Sequence, residues 1–344
     1  MTQFDYIKDI ARFGLENDQE KLKDSLQEMI EHARKSKKTN LAIQLQSILK
    51  EAIRHHSSGS LKTSSGIRFE TPSSKEVDQL ILDQVTSDYR LSDLICTPQI
   101  KESLDHFILE HRKKNLLQAL DLPIAHKILF YGPSGCGKTL ASYVIAGELE
   151  KILLVVNLGA IVSSKLGETS KNLAKIFKKA AAGDYILFLD EFDSLGKVRD
   201  YSQDHGEMKR VVNTILQLFD YLPQSTIVIA ATNQVGMLDD ALIRRFDTQI
   251  GFELPAQHEI EELIQLTLKR GVFTLGSKSG IKRLIQKAKG LSFYSIQKTL
   301  IAAMKRSLYK LETDLVPSKV EIDKAIWEKL IEEEKTAISN SGKV

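Results

Sequence analysis

The sequence predicts an α/β fold, a parallel sheet with helices between its strands, preceded by a small helical bundle and followed by a helical region. Three observations carry this. From about residue 88, apolar strand-like runs alternate with amphipathic helical stretches. The strand signal stops after Pro255. Ahead of residue 57, apolar residues recur only at helical spacing.

The front segment, 3–56, carries three apolar stripes. These are Ile7, Ile10, Ala11 and Leu15; Leu22, Leu26, Met29, Ile30 and Ala33; and Leu41, Leu45, Ile48, Leu49 and Ile53. Breaks fall near Asn17-Asp18 and at Lys37–Asn40, so three amphipathic helices are expected, packed stripe to stripe. A groove for a partner helix is the alternative use of those stripes. Residues 57–75 are rich in Ser, Gly and Thr and read as a flexible linker. Strands are expected at Lys127–Tyr131, Ile152–Asn157, Tyr185–Leu189 and Thr226–Ala231, with a short fifth at Thr248–Phe252. Helical runs such as Lys171–Ala182 and Glu207–Phe219 separate them. Residues 256–338 read as helices broken at Gly271–Gly280, Gly290 and Pro317, with Trp327 in their core.

Composition excludes several classes. Hydrophobic residues make up 42% of the 344 and charged residues 27%, ordinary for a globular chain. A net charge of +3 does not by itself argue for nucleic acid. The basic cluster Arg34–Lys38 reads as a solvated helix end. The two cysteines, Cys96 and Cys136, do not suggest a structural disulfide, which fits a reducing compartment. The N-terminus is too charged for a secretory signal, and no apolar run approaches the ~18 residues that cross a bilayer. A cytoplasmic protein without a membrane span is expected. No His/Cys set has the spacing of a zinc site.

The most specific signal is Gly132-Pro133-Ser134-Gly135-Cys136-Gly137-Lys138-Thr139, which matches G-x-x-x-x-G-K-[ST]. It follows an expected strand and opens a helical run from Leu140, the context in which the pattern has mechanical meaning. The glycines let backbone N–H groups turn inward around phosphate oxygens, and the helix N-terminus adds a favourable field. Lys138 supplies a point charge between the β- and γ-phosphates, and Thr139 a hydroxyl for Mg²⁺. Downstream, an apolar strand ends in Asp190-Glu191. Ligands gather at strand carboxyl ends in such sheets. Asp190 is then expected to hold the metal and Glu191 to polarise the attacking water, since one anion must stay fixed and the other must accept a proton.

With Ala231-Thr232-Asn233 and the run Leu238–Asp247 in order behind these motifs, residues 88–310 resemble the AAA ATPases of the AAA+ class. The resemblance is to the subgroup with a second region of homology. The Leu-Arg-Arg-Phe ending looks most like microtubule-severing and membrane-remodelling members and bacterial stand-alone AAA ATPases. The resemblance implies a P-loop NTPase sheet with a C-terminal helical lid. It also implies ATP and Mg²⁺ as ligands and a homo-oligomeric, hexameric ring. Asn233 looks like the sensor that orients water near the γ-phosphate. Arg244 and Arg245 look like arginine fingers inserted into the neighbour's site; a surface pair capping the preceding helix is the plainer reading. Asp93, Leu94 and Ile95 match the segment that cradles adenine, beside phosphate-loop residues from Pro133 to Leu140. Lys165 and Leu166 match the pore loop that grips a client, with Lys165 where the family carries an aromatic residue. Phe293-Tyr294 replaces a small pair in a turn near the base, where it either alters base contacts or fills the lid core.

The expected organisation is a bundle at 1–56, for recruitment or assembly, a linker at 57–87, a nucleotide-binding domain at 88–255 and a lid at 256–344. The expected function is ATP hydrolysis coupled to remodelling or unfolding of a macromolecular client, protein first. A nucleic-acid remodeller or loader and an ATP-gated assembly scaffold, with or without a partner protease, stay open.

Overall fold

The computed structural model describes residues 3–16, 18–36, 38–57, 81–158, 161, 166–197, 205–269, 271–276, 278–311 and 317–341. The chain divides into two compact units. The first comprises Met1–Asp93, Leu104–Phe130 and Thr139–Ile250; the second comprises Leu94–Ser103, Tyr131–Lys138 and Gly251–Val344.

The first unit begins with α1 (Gln3–Leu15), α2 (Gln19–Lys35) and α3 (Thr39–Ser57). Asp18 starts α2 by accepting the Lys21 N–H, satisfying one of the donors left over in the first turn. Ile30, Ala33, Ala42 and Leu49 form the bundle core, flanked by Leu26, Leu41 and Leu45. The stripes are not wholly buried: Leu15 is 90% exposed and Ile48 61%. The bundle rests on the sheet. Arg34 pairs with Glu150 at 3.0 Å, and the Asn40 side-chain amide donates to Asp88 at 2.6 Å.

The sheet has six strands in the order β1-β3-β4-β5-β2-β6. These are β1 (Asp83–Val85), β2 (Lys127–Tyr131), β3 (Ile152–Asn157), β4 (Tyr185–Asp190), β5 (Ile227–Thr232) and β6 (Thr248–Gly251). β3 and β4 pair in parallel with Ile152 opposite Tyr185, and β4 and β5 in parallel with Ile186 opposite Ile227. β1 is an antiparallel edge on β3 and lies within the stretch read as linker; residues 58–80 of that stretch fall outside the described residues. The intervening helices are α4 (Pro98–Arg112), α5 (Lys114–Ala119), α6 (Lys138–Glu148), α7 (Leu166–Ala182), α8 (Ser194–Lys197), α9 (His205–Tyr221) and α10 (Asp240–Ile243). Strands buried on both faces read as continuous apolar runs, which is why β4 and β5 were legible. Leu187, Leu189, Phe177, Phe192, Phe219 and Phe246 share one core. Asp247 ties the strand ends by accepting the backbone N–H groups of His126 and Lys127 at 2.8 and 2.9 Å.

The second unit holds α11 (Gln257–Leu268), α12 (Lys278–Ala288), α13 (Phe293–Tyr309) and α14 (Lys324–Ser341). It also holds a two-stranded parallel pair, β7 (Phe273–Thr274) with β8 (Val320–Glu321). This corrects the reading of residues after 255 as helical only: two-residue strands carry no alternation to detect. Trp327 is fully buried in this unit's core, its indole N–H donating to the Thr299 hydroxyl at 3.3 Å. Glu328, Glu332 and Glu334 of α14 meet Arg283 and Lys287 of α12 and Lys298 of α13.

One half-buried histidine gives the fold a pH signature. His111 lies 4.6 Å from the Phe107 ring, with Nε2 2.7 Å from the Ala125 carbonyl. Burial pushes its pKa down from 6.5 to about 4. The folded protein therefore binds fewer protons than the unfolded chain between those values, and stability is lost as pH falls from 6.5 towards 4. A His111→Gln variant should show a flatter fall in melting temperature across this window, measured by thermal denaturation at stepped pH.

Candidate functional site

The phosphate loop leaves β2 through three glycines in left-handed backbone: Gly132 at φ +130°, Gly135 at +73° and Gly137 at +99°. Two of them also have no room for a side chain. A Cβ on Gly132 would lie 2.0 Å from the Phe252 carbonyl oxygen, and one on Gly135 would lie 2.6 Å from the Ser292 hydroxyl. Phe252 N–H donates to the Tyr131 carbonyl at 2.7 Å, so chain crosses closely under the loop's first turn. Tyr294 N–H donates to the Gly135 carbonyl at 3.1 Å. These contacts place the loop in the second unit, beside the start of α13.

Lys138 is buried, and its ammonium donates to the carbonyls of Gly132 and Pro133 at 2.6 and 2.9 Å. A fixed cation is thus held by the loop's own carbonyls. Pro133, Ser134 and Thr139 are exposed, Leu140 is half-buried and Cys136 is buried. Burial raises the Cys136 thiol, and it pushes the Cys96 thiol up to about 11. Both cysteines are free thiols. Leu94 is buried within reach of the loop: a methyl on Gly137 would touch it at 3.6 Å. Ile95 packs against the lid core. Asp93 instead ends a 3₁₀ turn, its carboxylate accepting the Arg90 N–H at 2.8 Å. The Phe293-Tyr294 question divides. Phe293 packs on the lid core, while Tyr294 is exposed with its backbone on the phosphate loop.

In the first unit the ends of β4 and β5 are built as a pair. Asp190 is half-buried and accepts the Glu191 N–H at 2.9 Å. Glu191 is exposed in left-handed backbone at φ +54°, an uncommon conformation for a residue with a side chain and one enriched at functional sites. Phe192 N–H returns to the Ala231 carbonyl at 2.8 Å. Asp193, 1% exposed, accepts from the Thr232 hydroxyl at 3.2 Å and the Asn233 N–H at 3.4 Å. Sequence reasoning missed Asp193; the signal was a third acidic residue after the strand, in Asp190-Glu191-Phe192-Asp193. Arg244 and Arg245 are both exposed beyond α10. Lys165 lies outside the described residues, and Leu166 opens α7.

The donors of the loop itself fit a phosphate group. An amide cradle with a buried ammonium suits phosphate oxygens.

The family described as "ATPase family associated with various cellular activities (AAA)" matches residues 128–254. An uncharacterized AAA family ATPase of Sinorhizobium fredii is 33% identical over 224 residues, 65% of this chain and 67% of that protein. The chain belongs to the AAA ATPase family. The spastin homolog of Caenorhabditis elegans is 33% identical over 205 residues, 57% of this chain and 40% of that protein. Relative to that homolog, the AAA match therefore covers well under two thirds of its length. The crystal structure of the FIGL-1 AAA domain shares the fold with a TM-score of 0.61 at 18% identity, covering 80% of this chain and 98% of that one. As an AAA family ATPase, this protein binds and hydrolyses ATP. Among the described residues no helix is long and apolar enough to cross a membrane.

Proposed function

We propose that the protein works as a hexameric ring that hydrolyses MgATP at sites completed by the neighbouring subunit, and couples the hydrolysis to remodelling of a protein client. The observation that carries this reading is the strained Glu191 beside Asp190, in a chain whose phosphate loop is complete. Lys138 and the loop amides bind and orient the triphosphate. Thr139 and Asp190 would hold Mg²⁺, which when bound neutralises charge on the phosphate oxygens. Glu191 accepts the proton of the attacking water. Asn233, anchored through its backbone to Asp193, orients that water. An arginine from the turn after α10 of the neighbour meets the charge that builds on the γ-phosphate. Lys165 and Leu166 would line the central pore.

The reading extends to the bundle as a recruiting module. Its ion pair to the sheet is solvent-exposed on both sides, Arg34 at 45% and Glu150 at 37%, a class worth about 0–1 kcal/mol. That pair adds little to the hold of the bundle on the sheet, and tethering raises the client's effective concentration at the ring.

Three experiments test the reading. Glu191→Gln should keep ATP binding and lower turnover by about 10²–10⁴-fold, the range of general-base catalysis, whereas Lys138→Ala should lose binding. Mixing Arg244→Ala with Glu191→Gln subunits should restore turnover, because some interfaces then join an intact Glu191 site to an intact arginine. Near-normal turnover of Glu191→Gln, or failure of every confirmed mixed ring, contradicts the shared site. Deleting residues 1–75 should leave basal ATPase and ATP-dependent assembly intact while client-dependent work collapses. Loss of assembly in sedimentation would instead make the bundle a structural collar.

A further inference from the structure

The two adjacent arginines after α10 are held differently. Arg245 makes a forked pair with Asp220 in the last turn of α9: Nε donates to Oδ1 at 2.8 Å and a terminal nitrogen to Oδ2 at 3.3 Å. Arg244 is exposed, and among the described residues its guanidinium has no ion-pair partner. The turn that carries both is pinned by Leu242 and Phe246, which are buried on either side of it. Phe246 packs edge-on against Phe219 at 5.3 Å, and Phe219 precedes Asp220 on α9. One apolar and one ionic contact, from consecutive residues of the same helix turn, thus grip the arginine turn.

We propose that Asp220 is a positioning residue: it holds Arg245 in cis as a strut, so that Arg244 is the arginine delivered to the neighbouring subunit's nucleotide. This rests on the shared-site reading above. An arginine already forked onto a carboxylate carries little net charge to a developing phosphate oxyanion, while the unpaired one carries it in full. The fork also fixes the direction in which the turn presents Arg244, and a small misplacement of a catalytic charge is costly in rate. Both partners of the pair are about half exposed, 44% for Arg245 and 51% for Asp220, so removing the pair should not endanger the fold.

The test is steady-state ATPase of the full chain across ATP concentrations, at protein concentrations where rings are assembled. Asp220→Ala should lower turnover about two- to fivefold, the scale of an exposed ion pair, with KM unchanged. Asp220→Glu should recover part of the loss. Arg245→Ala should fall to the Asp220→Ala level and the double variant no further, the signature of one coupled unit. Arg244→Ala should lose about 10³-fold or more. Adding Glu191→Gln subunits should raise the turnover of Asp220→Ala subunits, since those subunits then borrow an intact arginine turn; a merely destabilised protein gains nothing from this. Higher turnover in Asp220→Ala would make the pair an inhibitory latch and overturn the proposal. Additive losses, or Arg245→Ala as damaging as Arg244→Ala with Asp220→Ala normal, would overturn it too. If Arg244→Ala turns over at the wild-type rate, the shared-site reading fails and the proposal with it. If Arg244→Ala is inactive while Asp220→Ala is normal in every readout, the proposal alone fails.

Discussion

The end of β2 is the constraint on which the proposed nucleotide site depends. At Gly132 the backbone enters a region open only to glycine, and the Phe252 carbonyl occupies the space a Cβ would need. That close crossing sends the chain into the loop whose carbonyls hold the Lys138 ammonium. A wider turn would carry the loop amides outward and leave the lysine without its carbonyl partners. The same economy governs Gly135, where Ser292 and Tyr294 at the start of α13 approach within a bond length or two of where a methyl would sit.

The second half of the chemistry rests on a different device, a buried carboxylate. Asp193 follows the half-buried Asp190 and exposed Glu191 and gathers the Thr232 hydroxyl and the Asn233 backbone. Burying a charge is tolerable only where hydrogen bonds replace its water. Here those bonds lock one strand end to the next, so the groups proposed to act on water hang from a fixed frame. The aromatic trio Phe192, Phe246 and Phe219 continues that frame to α9 and the arginine turn.

Much of this was legible in the sequence because it obeys local rules. Buried parallel strands are apolar throughout, so β2 to β5 emerged almost at their true bounds. The phosphate loop was legible because glycine and lysine at fixed offsets have a mechanical reason to be there. What was not legible depends on contacts far apart in the chain. Asp220 meets Arg245 across 25 positions and Asp193 meets Asn233 across 40, and neither pairing leaves a periodic trace. The β7–β8 pair is too short for alternation, and β1 lay in a stretch whose neighbours read as linker. Leu15 and Ile48 fit helical stripes yet face outward, since spacing alone does not say which face finds a partner.

The most direct test of this account is the ATP affinity of Gly132→Ala, measured by titration calorimetry on protein whose far-UV circular dichroism matches the parent. Forcing a Cβ into that crossing should strain or shift the turn by about 1–3 kcal/mol, so affinity should fall about tenfold or more while the sheet persists. Wild-type affinity in the folded variant would contradict the claim that the crossing at β2 builds the nucleotide site.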